Sequence, residues 1–417
     1  MVEGRSRPAA ERRRLLVLGA GAAQLGLLEE ARALDLFTIA VDRDPAAPGF
    51  ALADRRALIS TEDEPGIDRL AEAERVHGVI APGIDWPVAI AARVAKRLGL
   101  RHPLSPESAV LATSKVRQRE GFAEAGVPQP ESRLCKSADE ARAAAADLGL
   151  PCVVKAPDRQ GQRGLALVTN EEALDAAVDD ALRASRAGAC LVEQLVDGQE
   201  VTVNAFSVAG RFYPLTVTDR VRAEPPAFGV ALAHVWPSAL EPAAVGAAIE
   251  AARRATEALD ITDGPTYTQV VVGDGRPHVV EVAARLGGGH DAELCEAALG
   301  VDLNELALAA ALGETVPAHA LAPLDPVGGA VTRFLVAPMG ELRSVEGVEE
   351  AQALEGVVRV RVYRTPGWRF SSLRVGADRA GAVQAVGETR EEALERSAAA
   401  ADRIRFLTAD VDAKALA

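Results

Sequence analysis

The residues that most restrict the fold of this 417-residue chain stand near its start, in LLVLGAGAAQLGLLEEARALDL (15–36). Leu15 to Leu18 is an unbroken apolar run, which suits a strand covered on both faces. Gly19 and Gly21 make a tight turn, and Leu25, Leu28, Ala31 and Leu34 follow at helical spacing. A second strand, 37–41, ends at Asp42. A helix over 66–76, a strand over 78–81 and a helix over 87–98 continue the alternation, which closes at Gly99. Strand–helix alternation of this kind predicts a small doubly wound α/β sheet.

Beyond it the pattern changes. Helices are expected over 114–125, 138–148, 171–186 and 242–259, and strands near 132–135, 152–157, 165–168, 190–196 and 200–208. Strands 266–272 and 277–283 flank a GDG turn and read as a hairpin. Residues 291–299 and 302–312 are helical, 317–326 reads as a Pro-containing linker, and 329–408 mixes short strands with a final helix, 389–405. The expected division is a disordered tail at 1–14, an N-terminal Rossmann-like domain at 15–112, a central domain at 113–322 with a smaller lid subdomain at about 130–200, and a C-terminal α+β domain at 323–417. The fold class is therefore α/β and α+β.

Charge and cysteine usage exclude whole classes of function. The 46 Lys and Arg against 60 Asp and Glu give a net charge of −14, so a basic face for nucleic acid is not expected. No apolar run reaches the length of about 18 residues that a membrane span needs. The basic start, RSRPAAERRR, lacks the apolar stretch of a secretory leader. Cys135, Cys152, Cys190 and Cys295 form no metal-type pair. The expectation is a cytoplasmic protein that binds neither nucleic acid nor membrane.

The turn Gly19-Ala20-Gly21-Ala22-Ala23-Gln24 is half of a dinucleotide fingerprint, with Gln24 where a third glycine belongs. It reads equally as a plain strand-to-helix turn. Lys155 lies inside the apolar strand CVVKAP, where an ammonium is costly unless it meets an anion. The polar turn Asp158-Arg159-Gln160-Gly161-Gln162-Arg163-Gly164 follows, of a type whose N–H groups bind phosphate oxygens. Lys115 opens a helix. Glu193 ends one strand and Glu200 begins the next. Gln269 and Glu281 can face each other across the hairpin and offer the hard oxygens that suit Mg2+. Arg285 follows, a permanent cation suited to a transferred phosphoryl group. Each of these alone has an ordinary alternative: a solvated lysine, a turn carboxylate, a polar hairpin pair.

Their order along 114–301 resembles the ATP-grasp superfamily, with the preceding βα domain and the trailing unit in that family's usual sequence of parts. Within it, EVAARLGGGH (281–290), HVWPS (234–238), GAVTRFLVAPMGEL (329–342) and GAVQAVGETREEALERS (381–397) resemble carboxylate–amine ligases of the L-amino-acid ligase kind. The resemblance implies a pre-ATP-grasp domain, a central ATP-grasp fold and a C-terminal unit that completes the ligase. It assigns the ATP phosphates to Lys115 and Lys155, with the turn Gly161, Gln162, Arg163 and Gly164 closing over them. It assigns adenine to Glu193, Gln194 and the backbone at Val196, and ribose to Glu200. Gln269 and Glu281 become the magnesium ligands, with Mn2+ as a substitute, and Arg285 the catalytic arginine. Two departures stand out: Gln269 where the family often has Glu, and Ala283 where many members have Asn.

The implied reaction turns a carboxylate into an acyl phosphate with MgATP and passes it to an amine. Asp85, His234, Gly288 and His290 are substrate-site candidates, each with a structural alternative. Arg220, Arg222 and Arg333 could bind a substrate carboxylate, although exposed arginines are common. Trp86, Trp236 and Trp368 are expected in packing. Residues 159–164 are the first lid candidate and 219–233 the second. A homodimer is the expected assembly. Three alternatives stay open: a carboxylase activating bicarbonate, a non-catalytic nucleotide-binding protein, and a nicotinamide enzyme resting on GAGAAQ alone.

Overall fold

The computed structural model describes residues 12–159 and 161–409. Its first sheet is parallel, with strand order Arg55–Leu58, Phe37–Asp42, Arg14–Leu18, Gly78–Ile80. Leu15 to Leu18 are wholly buried, as their unbroken apolarity requires. The helices Leu25–Ala33 and Glu64–Ala73 lie between these strands in the chain, and Trp86–Arg97 follows the last of them.

The GAGAAQ turn is filled from within. Gln24 is buried and donates to the Pro82 carbonyl at 2.5 Å, and Ala20 N–H donates to Asp42 at 3.0 Å. A Cβ on Gly19 would meet the Gln24 side chain at 2.9 Å, so glycine is needed there to admit Gln24. The turn is closed by its own side chain, and the nicotinamide reading loses its only support.

The largest sheet has eight antiparallel strands. Their order is Arg276–Ala283, Gly264–Gly273, Gln199–Val208, Arg211–Arg222, Ala231–Trp236, Gly329–Leu335, Gly381–Gly387, Val357–Val362. Three C-terminal strands therefore extend the central sheet, where the sequence reading set them apart in a unit of their own. The join is Ala231–Trp236 against Gly329–Leu335. The strand Arg211–Arg222 was not read from the sequence because its register shifts between Pro214 and Thr216, which breaks the alternation. The two ends of the second lid candidate, 219–233, belong to Arg211–Arg222 and Ala231–Trp236, and only 223–230 lies between the strands.

A separate four-stranded antiparallel sheet, ordered Ser132–Cys135, Cys190–Gln194, Cys152–Lys155, Leu165–Val168, has its own apolar core with the helices Ala138–Leu148 and Glu171–Ala184. By contrast, one continuous core joins the N-terminal strands to the central sheet through Leu16, Leu18, Ile39, Val201, Val270 and Val282. Among the described residues no helix is long and apolar enough to cross a membrane.

The expected tail at 1–14 lies outside the described residues up to position 11. Arg12 to Arg14 are not tail. Arg12 pairs with Asp54 at 2.9 Å, Arg14 lies 4.1 Å above the Phe37 ring, and both Arg14 and Arg13 hold glutamates, Glu74 and Glu314.

Candidate active site

Between the small sheet and the central sheet lies a cleft of about 630 Å3, lined in part by Lys155, Glu193, Gln194, Val196, Glu200 and Gln269. Strand geometry places the first two. Lys155 ends Cys152–Lys155, and Glu193 stands in the neighbouring strand opposite Val153. Their side chains meet: Lys155 Nζ is 2.6 Å from Glu193 Oε2. Arg119 Nε donates to the other carboxylate oxygen at 2.9 Å, while its Nη1 and Nη2 donate to the carbonyls of Val279 and Val280.

All three side chains are buried. Burial pushes the Glu193 carboxyl up, but Arg119 and Lys155 outweigh it and hold it at about 2. Burial draws Lys155 below the usual lysine range; Glu193 opposes this, while Arg119 and Lys115 add to it. Two cations thus share one carboxylate, and the surplus positive charge suits a polyphosphate. Arg119 was not read from the sequence. The available signal was its spacing, four residues after Lys115 and on the same helix face.

Lys115 owes its position to a cap. Ser114 ends the helix Pro106–Thr113 and caps Lys115–Glu124, its Oγ accepting from Arg117 N–H at 3.4 Å. Lys115 Nζ then reaches Glu281 at 3.1 Å and the Arg159 carbonyl at 2.9 Å. Gln269 and Glu281 are direct partners in the hairpin register. Burial raises the Glu281 carboxyl, but Lys115, Lys155 and Arg285 outweigh it and hold it below the usual range.

This pair fits a divalent cation that also binds phosphate. Both side chains supply hard oxygens, and among the described residues no cluster of three or more His, Cys, Asp or Glu could hold a metal alone. Phosphate oxygens and water must complete such a shell. Ala283, opposite Tyr267 in the ladder, adds no ligand.

Glu200 receives two guanidiniums. Arg220 donates to it and to the Gly229 carbonyl, and Arg222 lies 3.1 Å away. Arg220 is buried at the cleft rather than exposed, its pKa raised because Glu200 and Tyr267 outweigh the effect of burial. Arg333 is elsewhere, donating to Ser397 at 3.2 Å. In the glycine turn, Gly161, Gln162 and Gly164 all have positive φ, and Gln162 lines the cleft. Arg163 is exposed and Gln160 lies outside the described residues. Trp86 carries the Arg186 guanidinium 4.1 Å above its ring.

A second group of side chains surrounds Arg285. Asp85, at the start of Trp86–Arg97, holds its Nη2 at 2.6 Å and its Nε at 2.7 Å. The guanidinium lies 5.5 Å above the Tyr267 ring. The following glycines admit close neighbours. A Cβ on Gly289 would come within 2.5 Å of His234, and one on Gly288 within 3.1 Å of the Gly83 carbonyl. Asp291 accepts from Gly289 N–H at 3.1 Å and lies 2.9 Å from His234 Nδ1. His290 contacts Glu293 and Tyr363. Asp85, His234, Gly288 and His290 are thus brought around Arg285 and its turn. Asp291 and Tyr363 were not read from the sequence, since nothing local marks them as neighbours of residues so distant in the chain.

Residues 114–319 match the family model "Carbamoyl-phosphate synthase L chain, ATP binding domain", and residues 333–409 match "L-amino acid ligase C-terminal domain 2". Uncharacterized protein y4rH of Sinorhizobium fredii is 28% identical over 378 residues, covering 88% of this chain and 77% of its own. A formate-dependent phosphoribosylglycinamide formyltransferase of Burkholderia lata is 28% identical over 419 residues, covering 95% and 96%. The crystal structure of L-amino acid ligase from Bacillus licheniformis superposes with a TM-score of 0.80 at 21% identity, over 96% of this chain and 99% of that one.

Proposed function

We propose, from the premise that the chain belongs to the ATP-grasp superfamily and that its residues 333–409 match the L-amino acid ligase C-terminal domain 2 model, that it is an ATP-dependent carboxylate–amine ligase. The observation that carries the reading is the continuity of two charged groups. The Lys155–Glu193–Arg119 cluster, the Lys115–Glu281 pair and the Arg285–Asp85 pair are linked electrostatically at Glu281, which feels Lys115, Lys155 and Arg285. No nucleophilic side chain is required. Phosphoryl transfer depends on positioning and on neutralising charge.

Glu193, Gln194 and Val196 bind the adenine, and Glu200 the ribose. Lys115 and Lys155 bind the phosphates under the turn 161–164. Gln269 and Glu281 would hold Mg2+, which when bound neutralises phosphate charge; Mn2+ offers the same hard-ligand chemistry. A substrate carboxylate oxygen bonds to the γ-phosphorus as the bond to the β,γ-bridging oxygen breaks, giving an acyl phosphate and ADP. Arg285, held by Asp85, steadies the charge on the transferred group. The amine nitrogen then bonds to the acyl carbon, phosphate leaves, and the nitrogen releases a proton to solvent. His234, Gly288 and His290 line the substrate end. Assembly as a cytoplasmic homodimer belongs to the same reading.

The test is phosphate release from MgATP in the presence of pooled amino acids and simple carboxylates. Release that depends on these acids, and is lost in Lys155→Ala and Glu281→Ala, is expected. Release needing only bicarbonate would make the protein a carboxylase. Absence of nucleotide binding at millimolar MgATP would rule out the enzyme reading altogether.

A further inference from the structure

The strand Val357–Val362 and the residue after it reach the Arg285 turn from the far end of the chain. Arg361 is buried, and one arm of its guanidinium, Nη1, donates to Glu293 and lies 2.9 Å from His290 Nδ1. The other arm, Nη2, donates to Glu29 of the helix Leu25–Ala33. Tyr363 Oη lies 2.6 Å from His290 Nε2, and Gln384 Nε2 donates to the His290 carbonyl at 3.3 Å. His290 is therefore gripped at both ring nitrogens and at its backbone.

That grip has a reason. His290 is a non-glycine residue at φ 58 and ψ 34, in the left-handed region, and it caps the helix Asp291–Leu299. Such a conformation costs on the order of 1–3 kcal/mol and persists only where neighbours impose it. Three glycines precede it, and they cannot restrain the turn themselves. The helix Leu25–Ala33 is shaped to the same contact: a Cβ on Gly26 would fall 2.1 Å from Glu293 Oε1. A planar fork that bonds two carboxylates in fixed directions is a property of arginine and not of lysine.

We propose that Arg361 is a positioning residue for the substrate end: through Glu293 and His290 it fixes the turn 286–290 that follows Arg285. The C-terminal unit thereby sets the conformation of the catalytic turn, and Glu29 couples the N-terminal domain to it. The kinetic half of this inference rests on the ligase reading; the conformational half does not.

The test uses the full-length chain. Removing Arg361 alone leaves Glu293 buried without its cation, which threatens the fold, so Arg361→Lys is compared with the doubly neutralised Arg361→Met/Glu293→Gln. In the nucleotide-free protein, amides of 286–291 are expected to exchange with deuterium at least tenfold faster in both variants, with exchange in the central sheet unchanged. In turnover, kcat is expected to fall tenfold or more while KM for MgATP stays within twofold. Wild-type exchange of 286–291 in the double variant would overturn the proposal, and so would faster exchange spread through the central sheet. If the wild-type chain binds no MgATP, the ligase reading fails, and the exchange result still decides the role of Arg361.

Discussion

The cleft proposed for the nucleotide lies between the small sheet and the central sheet, and the proposed substrate end gathers around Arg285; both are charged and largely buried, yet they are assembled in opposite ways. In the cleft, two of the pairs are set by ladder register, with Lys115 and Arg119 added from one helix. Lys155 and Glu193 lie on hydrogen-bonded strands, and Gln269 faces Glu281 across a hairpin. At the substrate end, Asp85, His234, Arg285, Asp291 and Arg361 come from different parts of the fold and meet only when it closes. The comparison teaches that strand pairing can place charged partners of a kind suited to polyphosphate. A site for the rest of the substrate needs the N-terminal domain, the central sheet and the C-terminal strands together.

The widest separation between the two regions should come from removing their charges. Lys155→Ala leaves Glu193 paired with Arg119, and Glu281→Ala takes the carboxylate from Lys115 and removes a proposed metal ligand. Each is expected to lower kcat/KM at least about 100-fold, in the range seen when one electrostatic contact to a transition state is lost. Full activity in either variant would place the phosphates elsewhere. Asp85→Asn probes the other region. It keeps a hydrogen-bond acceptor beside Arg285 but removes the charge that orients the guanidinium. The expected result is a loss of about 10- to 100-fold in kcat with MgATP affinity unchanged. A change in MgATP KM alone would mean that Arg285 serves the nucleotide rather than the acyl group.

Acid should test the cleft through stability. Glu193 has its pKa lowered from 4.5 to about 2 in the folded chain. Its contribution is therefore present in full above the unfolded value and is lost as pH falls through 4.5 toward 2. That contribution is roughly 3 kcal/mol. Urea unfolding of the wild type and of Glu193→Gln, measured from pH 6 to pH 2, should show a gap that narrows toward acid. A gap independent of pH would mean that the carboxylate is not held ionised by Lys155 and Arg119.

The same contrast explains what could be read beforehand. Lys155 was visible because an ammonium within CVVKAP violates apolar patterning, and Gln269 with Glu281 because a hairpin fixes which residues oppose. The doubly wound start was legible from Leu15–Leu18 and its turn. Arg119 was hidden because nothing near it in sequence announces the Glu193 carboxylate 74 positions away. The Arg361 contacts span 68 positions to Glu293 and 332 to Glu29, and no periodicity encodes such a meeting. The extension of the central sheet by C-terminal strands escaped for the same reason. Strand pairing across 231–236 and 329–335 depends on the path of the chain between them.

The smallest expected effect tests whether cleft geometry really is local. Ser114 Oγ caps the helix whose first residue is Lys115, and Ser114→Ala removes that cap without touching any charge. Loss of a serine cap costs about 1 kcal/mol. Because the helix start frays, Lys115 should meet the phosphates less often. Arg285, anchored from other elements, should be unaffected, and Glu193 keeps Lys155 from the neighbouring strand. The expected result is a rise of a few-fold in KM for MgATP, a slight fall in thermal midpoint, and unchanged KM for both carboxylate and amine. If the carboxylate KM rises as much as that for MgATP, the two regions are coupled through the helix Lys115–Glu124. The division into a locally built cleft and a globally built substrate end would then have to be given up.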